Sequence, residues 1–286
     1  MAEIVDAHHH FWDPDQGHYP WMQGAAMAPL RRVFAPDDLA PLLRDCGVTR
    51  SVLVQTQSRL EETRDFLAIA ARTGFVAGVV GWVDLTAPDI DETLAALRAG
   101  PGGDRLVGIR HQVHDEPDPD WLRRADVRRG LAAIARHELA YDLLLRPREL
   151  AAAVDTVAAL PQLRFVVDHV AKPMIRRRIH APWAEAMQGF RSHRDHVWCK
   201  LSGMVTEADW RRWTTRDLRP FVDTALDIFA PDRCLYGSDW PVCTLAASYA
   251  ETFGALAECL APLSSTERDT ILGASARAVY RLGPTG

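Results

Sequence analysis

Residues 51–84 read Ser51-Val-Leu-Val-Gln-Thr-Gln-Ser-Arg-Leu-Glu-Glu-Thr-Arg-Asp-Phe-Leu-Ala-Ile-Ala-Ala-Arg-Thr-Gly-Phe-Val-Ala-Gly-Val-Val-Gly-Trp-Val-Asp84. A short β-branched run, Ser51–Thr56, gives way to Ser58-Arg-Leu-Glu61, which has the form of a capping box. A stretch of helical period follows, with Phe66, Leu67, Ile69 and Ala70 on one face. The chain then returns to an apolar run, Phe75–Asp84. This is one strand–helix–strand unit of a parallel sheet. Its near-continuous apolar strands are those of a sheet covered on both faces.

The same alternation runs outward in both directions. Further strand candidates are Glu3–His10, Leu106–Val113, Ala140–Leu145, Leu163–His169, Val197–Ser202 and Cys234–Ser238. Between them, Asp120–His137 carries Leu122, Val127, Leu131 and Ile134 at helical spacing. Pro147–Leu160, Trp183–His193 and Leu218–Phe229 follow the same period. Ser264-Ser-Thr-Glu267 is a second capping box, opening a C-terminal helix. Eight strands alternating with helices predict a TIM-like (β/α)8 barrel with C-terminal helices, one domain over residues 1–286. A doubly wound open sheet is the alternative, but no G-x-G-x-x-G follows the first strand.

Composition narrows the function. The 286 residues include 38 acidic and 33 basic side chains, a net charge of −5. That balance predicts no nucleic-acid partner, which would call for a basic patch. The apolar runs fall short of a membrane span, and the N-terminus carries no basic, apolar leader pattern, so no membrane partner is expected. The five cysteines are scattered and unpaired in sequence, as free thiols of a reducing, cytoplasmic compartment would be. No surface pattern decides for or against a homo-oligomer.

A barrel places its site at the C-terminal ends of its strands. The first strand ends in Asp6-Ala-His-His-His-Phe-Trp12. Side chains two apart share a face, so His8 and His10 point together and His9 points away, a structural residue. The sixth ends in Asp168-His-Val-Ala-Lys-Pro173 and the eighth in Gly237-Ser-Asp-Trp-Pro241. His8, His10, His169 and Asp239 together form a plausible mononuclear site for Zn²⁺ or a similar ion, with a position left for water.

With these landmarks, and with Gly108-Ile-Arg-His-Gln112, Lys200-Leu-Ser-Gly203 and Ile271–Tyr280, the chain resembles the amidohydrolase superfamily. It is most similar to that superfamily's sugar-lactonase branch, and the resemblance covers nearly the whole sequence. It implies that His8, His10, His169 and Asp239 are metal ligands or their relics. The fifth strand ends in Tyr141-Asp-Leu-Leu-Leu-Arg146, without His or Lys, which argues against a binuclear centre. The branch includes lactonases that work without metal, so the resemblance implies one divalent ion, zinc by its ligand chemistry, or none.

The implied reaction opens a sugar lactone, such as L-fuconolactone or L-rhamnonolactone, to the sugar acid. It needs an activated water, a polarised carbonyl and a protonated leaving oxygen. Asp239 is the expected base, with His169 and Arg110 as further catalytic groups. Arg110, His111, His114 and Gln55 are candidate substrate contacts, and Trp12, Trp21 and Trp240 candidate walls for a polyol ring. Lys200 is expected to pair with Asp239 or substrate, and Lys172 with Asp168 or a substrate oxygen. The cysteines are read as structural. A metal-dependent decarboxylase of an aromatic acid, with an apolar pocket, is the alternative. A non-catalytic binding protein on a degenerate barrel is a third reading, against which the intact histidines and Asp239 speak.

Overall fold

The computed structural model describes residues 3–283, so the outermost residues of the expected domain lie outside it. Eight parallel strands follow one another in sequence order: β1 (Val5–His9), β2 (Arg50–Val54), β3 (Val76–Gly81), β4 (Leu106–His111), β5 (Ala140–Leu143), β6 (Arg164–Val167), β7 (Val197–Leu201) and β8 (Cys234–Tyr236). Just past β8, a bridge between His9 and Trp240 carries the sheet back to β1. The result is the expected barrel. No helix among the described residues is long and apolar enough to cross a membrane.

Most predicted strands lose residues at their C-terminal ends. There the backbone leaves the sheet to aim side chains at the barrel mouth. The predicted helices appear in shifted registers, as in Thr215–Phe229 and Leu150–Ala159. Ser264 and Glu267 do form a capping box. Ser58 does not: the helix Leu60–Arg72 starts later, and Ser58 Oγ donates to Gln112 Oε1 at 2.7 Å instead. Glu62 organises that turn, accepting from the backbone N–H groups of Thr56 and Gln57.

The barrel interior is stacked by alternation along the strands. Its lowest part is apolar, with Val5, Ala7, Val52, Val166 and Leu235 packed against Val279 and Tyr280 of the terminal helix Ser275–Tyr280. Above that floor lies a fully charged layer: Asp142 on β5, Lys200 on β7, and Asp168 immediately after β6 are all 0% exposed. Arg110 on β4, 3% exposed, completes it. Burying such groups is costly unless each finds a partner. Here Lys200 Nζ lies 2.5 Å from Asp142 Oδ2 and 3.0 Å from Asp168 Oδ1, and Arg110 Nη1 lies 3.0 Å from Asp168 Oδ2. The Tyr280 hydroxyl rises from the floor to within 2.8 Å of both Asp142 oxygens.

Candidate active site

Three backbone irregularities aim the site residues. On β1, strict alternation from Val5 and Ala7 would send His9 inward. A register shift between Asp6 and His9 reverses the parity, as a β-bulge does. His8 and His10 therefore face the barrel interior, while His9 Nε2 turns outward to Ser51 Oγ at 2.8 Å. Asp6 braces the irregularity: its Oδ1 accepts from the His8 and Ser238 N–H groups. After β6, residues 169–172 all take positive φ (51°, 45°, 57° and 48°), which turns His169 into the mouth. After β8, Asp239 has φ 57°. β8 can lie this close to β1 because Gly237 has no side chain; a Cβ there would stand 2.8 Å from the His8 Cβ.

The imidazoles converge on one atom. Asp239 Oδ1 lies 3.5 Å from His10 Nε2, 3.8 Å from His169 Nε2 and 3.9 Å from His8 Nε2. Their outer nitrogens are held from behind. His10 Nδ1 donates to the Val54 carbonyl at 2.7 Å; a carbonyl only accepts, so Nδ1 carries a proton and Nε2 faces inward. His169 Nδ1 lies 2.9 Å from Ser202 Oγ. These second contacts orient imidazoles as metal-binding histidines require. The donor set of three imidazoles and one carboxylate fits a single divalent cation, and His8, His10 and Asp239 already stand within 4.8 Å of one another.

Burial and electrostatics keep His8, His169 and Asp239 in the state a cation site needs. Burial pushes His169 down to about 3. Burial, with the Lys200 ammonium beside it, holds His8 well below the usual imidazole range. Burial works against the Asp239 charge, but His169, His10 and Lys172 outweigh it and hold that carboxyl below its ordinary value. For Asp168, Lys200, His8 and Arg110 overcome burial, whereas burial raises Asp142 to about 6.

A small cavity of about 180 Å³ opens above this cluster. His10, His169, Asp239, Arg110, His114 and Trp21 line it, six of the residues expected at the site. Other expected contacts lie elsewhere. Gln55 is fully buried and serves Arg110, accepting from Nη2 through its carbonyl and through Oε1 at 3.1 Å. His111 leaves the inner cavity: its ring stacks on Trp121 at 4.4 Å, between Trp82 Nε1 at 3.0 Å and Glu116 at 2.8 Å. Its place in β4, with parity opposite to Arg110, is the cause. Trp12 donates to the Leu30 carbonyl and packs edge-on against Phe34, and Trp240 is buried between Phe11 and Phe34. Neither lines this cavity.

Lys200 pairs with Asp142 and Asp168 rather than Asp239, and Lys172 with Glu207 at 3.0 Å rather than Asp168. Thr56, Gln112, Leu144, Arg146 and Val242, which sequence reasoning passed over, complete the cavity with Lys172 and Asp115. Thr56 and Leu144 continue the inward parity of β2 and β5, a signal that alternation alone carries. Cys199, Cys234 and Cys243 are buried and unpaired, and burial pushes their thiols up.

Comparison with known proteins agrees with this geometry. The chain is 39% identical over 290 residues to an L-fucono-1,5-lactonase of Burkholderia multivorans, covering 97% of this chain and 96% of the relative. It is 37% identical to an L-fucono-1,5-lactonase of Burkholderia ambifaria, covering 100% and 98%. A crystal structure of a Burkholderia multivorans amidohydrolase with bound zinc superposes with a TM-score of 0.93 at 37% identity, covering 99% of this chain and all of the other. The amidohydrolase family model matches residues 5–282, β1 through the terminal helix, and on that match the chain belongs to the amidohydrolase family.

Proposed function

We propose that the protein is a lactonase that opens a sugar lactone, L-fucono-1,5-lactone or a close relative, to the corresponding sugar acid. The observation that carries this reading is the Asp239 carboxylate beneath a small cavity, ringed by three imidazoles, in a chain alike end to end to curated L-fucono-1,5-lactonases. The cavity is far smaller than a drug-sized pocket of several hundred Å³, which suits one sugar ring. Trp21 offers that ring an apolar face; Thr56, Gln112, His114 and Asp115 offer its hydroxyls partners.

The chemistry follows from the groups. Asp239 Oδ1 faces the imidazoles, leaving the second carboxylate oxygen to take a proton from the attacking water. The water oxygen bonds to the lactone carbonyl carbon, and the carbonyl oxygen gains negative charge. Arg110 and Lys172, cationic and on the cavity wall, are placed to stabilise that charge. The ring C–O bond then breaks, and the proton held by Asp239 passes to the leaving alkoxide. A divalent cation held by His8, His10, His169 and Asp239 would supply Lewis-acid polarisation and lower the pKa of a water.

The decarboxylase alternative has less support. The full-length relatives at 37–39% identity are L-fucono-1,5-lactonases, and ten of the thirteen residues lining the cavity are polar or charged. Five free cysteines fit the reducing cytoplasm inferred from the sequence. The test is a pH-indicator screen of aldonolactones, on protein stripped with chelator and on protein with Zn²⁺ or Mn²⁺ restored. Hydrolysis of a 6-deoxyhexono-1,5-lactone in either state is expected; silence across the panel in both states would overturn the assignment.

A further inference from the structure

His8 is met by a cation at each ring nitrogen. Lys200 Nζ lies 3.1 Å from Nδ1, and Arg110 Nη1 lies 3.1 Å from Nε2. Arg110 is not free to wander. Nη1 is also held by Asp168 Oδ2 at 3.0 Å, and Nη2 by the Gln55 carbonyl and Oε1. Both cations only donate, and a neutral imidazole can accept from only one of them. Lys200 already has Asp142 Oδ2 and Asp168 Oδ1 as acceptors, and Asp168 Oδ1 stands 3.4 Å from His8 Nδ1. The contact with Arg110 is a hydrogen bond in the tautomer that carries its proton on Nδ1, toward Asp168, and its lone pair on Nε2.

That arrangement selects the tautomer a metal needs and at the same time fills it. An imidazole nitrogen has one lone pair in the ring plane, and a Zn–N bond is about 2.0–2.1 Å long. A guanidinium hydrogen and a cation cannot share that lone pair. The charges point the same way. Arg110 and Lys200 already match Asp142 and Asp168, so Asp239 alone would balance a dication placed among the imidazoles.

We propose that Arg110 and a divalent cation compete for the Nε2 lone pair of His8, so that Arg110 holds the affinity of this centre for metal low. The proposal rests on the reading of His8, His10, His169 and Asp239 as a cation site. Arg110 thereby acts on the centre from a position bound to His8, Asp168 and Gln55. Metal enters only as the guanidinium releases His8, while Asp168 keeps its hold on Nη1.

The experiment is a Zn²⁺ titration against a chromophoric chelator, with elemental analysis, on wild-type protein, Arg110→Met and Arg110→Gln. His10→Ala, which removes a ligand, gives the background from other histidines. Folding is checked by circular dichroism. The expected result is that both Arg110 variants bind one Zn²⁺ at least about tenfold more tightly than wild type, because a like charge beside the site is gone. Equal or weaker affinity in folded variants overturns the competition and leaves the cation site standing. No binding above the His10→Ala background in any protein overturns the cation site, and the competition with it. Should neither variant fold, crystal structures of the wild type with and without Zn²⁺ decide. Nη1 is expected beyond hydrogen-bond range of His8 Nε2 when zinc is bound; zinc on His8 with Nη1 still at its present distance would refute the proposal.

Discussion

Gly203→Ala tests how finely His169 is placed. Gly203 follows β7 at φ 62°, and a Cβ there would stand 2.5 Å from His169 Nδ1 and 2.7 Å from its Cγ. Ordinary contact begins at 3.4 Å, so the ring must retreat by about 0.9 Å. The retreat pulls Nδ1 from Ser202 Oγ, the bond that orients the ring. A misplacement near 1 Å costs about 10²-fold in rate. The left-handed backbone adds about 1–2 kcal/mol of strain, common to any alanine at positive φ. Gly47→Ala controls for it: Gly47 has φ 68° with nothing within 4 Å of its would-be Cβ. For a chain of this size each kcal/mol lowers Tm by about 2–4 °C. Both variants should therefore melt a few degrees early, and only Gly203→Ala should lose about 10²-fold in kcat/KM for the lactone. The assay pairs thermal melting with steady-state hydrolysis. Wild-type kcat/KM in a folded Gly203→Ala protein would show that catalysis does not use His169 where it stands.

Other predictions follow from the site and its supports. Asp239→Asn should cut turnover by at least about 10³-fold with an unchanged circular dichroism spectrum; near-normal hydrolysis would remove Asp239 as the base. Lys200→Met should cost about 3–5 kcal/mol, because it leaves buried Asp142 without a cation and Asp168 with Arg110 alone, and chemical denaturation measures it. The sign of its pH dependence is set by Asp142, already raised to about 6. A raised carboxyl pKa costs nothing below the unfolded value and progressively more as pH climbs toward the folded one. The loss should thus be smaller at pH 5 than at pH 8, and a pH-independent loss would contradict the charge argument. Native alkylation followed by peptide mapping should label half-buried Cys46 well before Cys199, Cys234 or Cys243. Cys199→Ala should leave hydrolysis largely intact.

Most strands were legible because they are short, largely apolar runs buried on both faces. The His-x-His of β1 and the lone Asp239 were legible as chemistry. What alternation could not reveal is how the backbone departs from it. From Val5 and Ala7, parity selects His9; only the register shift braced by Asp6 delivers His8 and His10. His169 likewise reaches the mouth through a run of positive-φ residues that no local rule assigns to Val170 or Ala171. Gln55 shows the opposite limit: a polar residue at a strand end reads as a substrate contact, yet its partner is Arg110. The charged layer was hidden because Asp142, Asp168 and Lys200 come from three strands and explain one another only once the sheet has curled. The Ser58 capping box failed because Gln112, far away in sequence, claims the same hydroxyl.

Tyr280 sets an order on the making of this enzyme. Its hydroxyl grips both oxygens of Asp142 from below, while β1 meets the strand-eight end at the His9–Trp240 bridge and through the Asp239 N–H to the His8 carbonyl. A ribosome delivers that bridge partner, and then Tyr280, only after all eight strands have emerged. Until then the Lys200–Asp142–Asp168 cluster has no floor, and His8 has no neighbour on one side. Truncation before Tyr280 would therefore spare every catalytic side chain while opening the chamber that holds them to water from beneath.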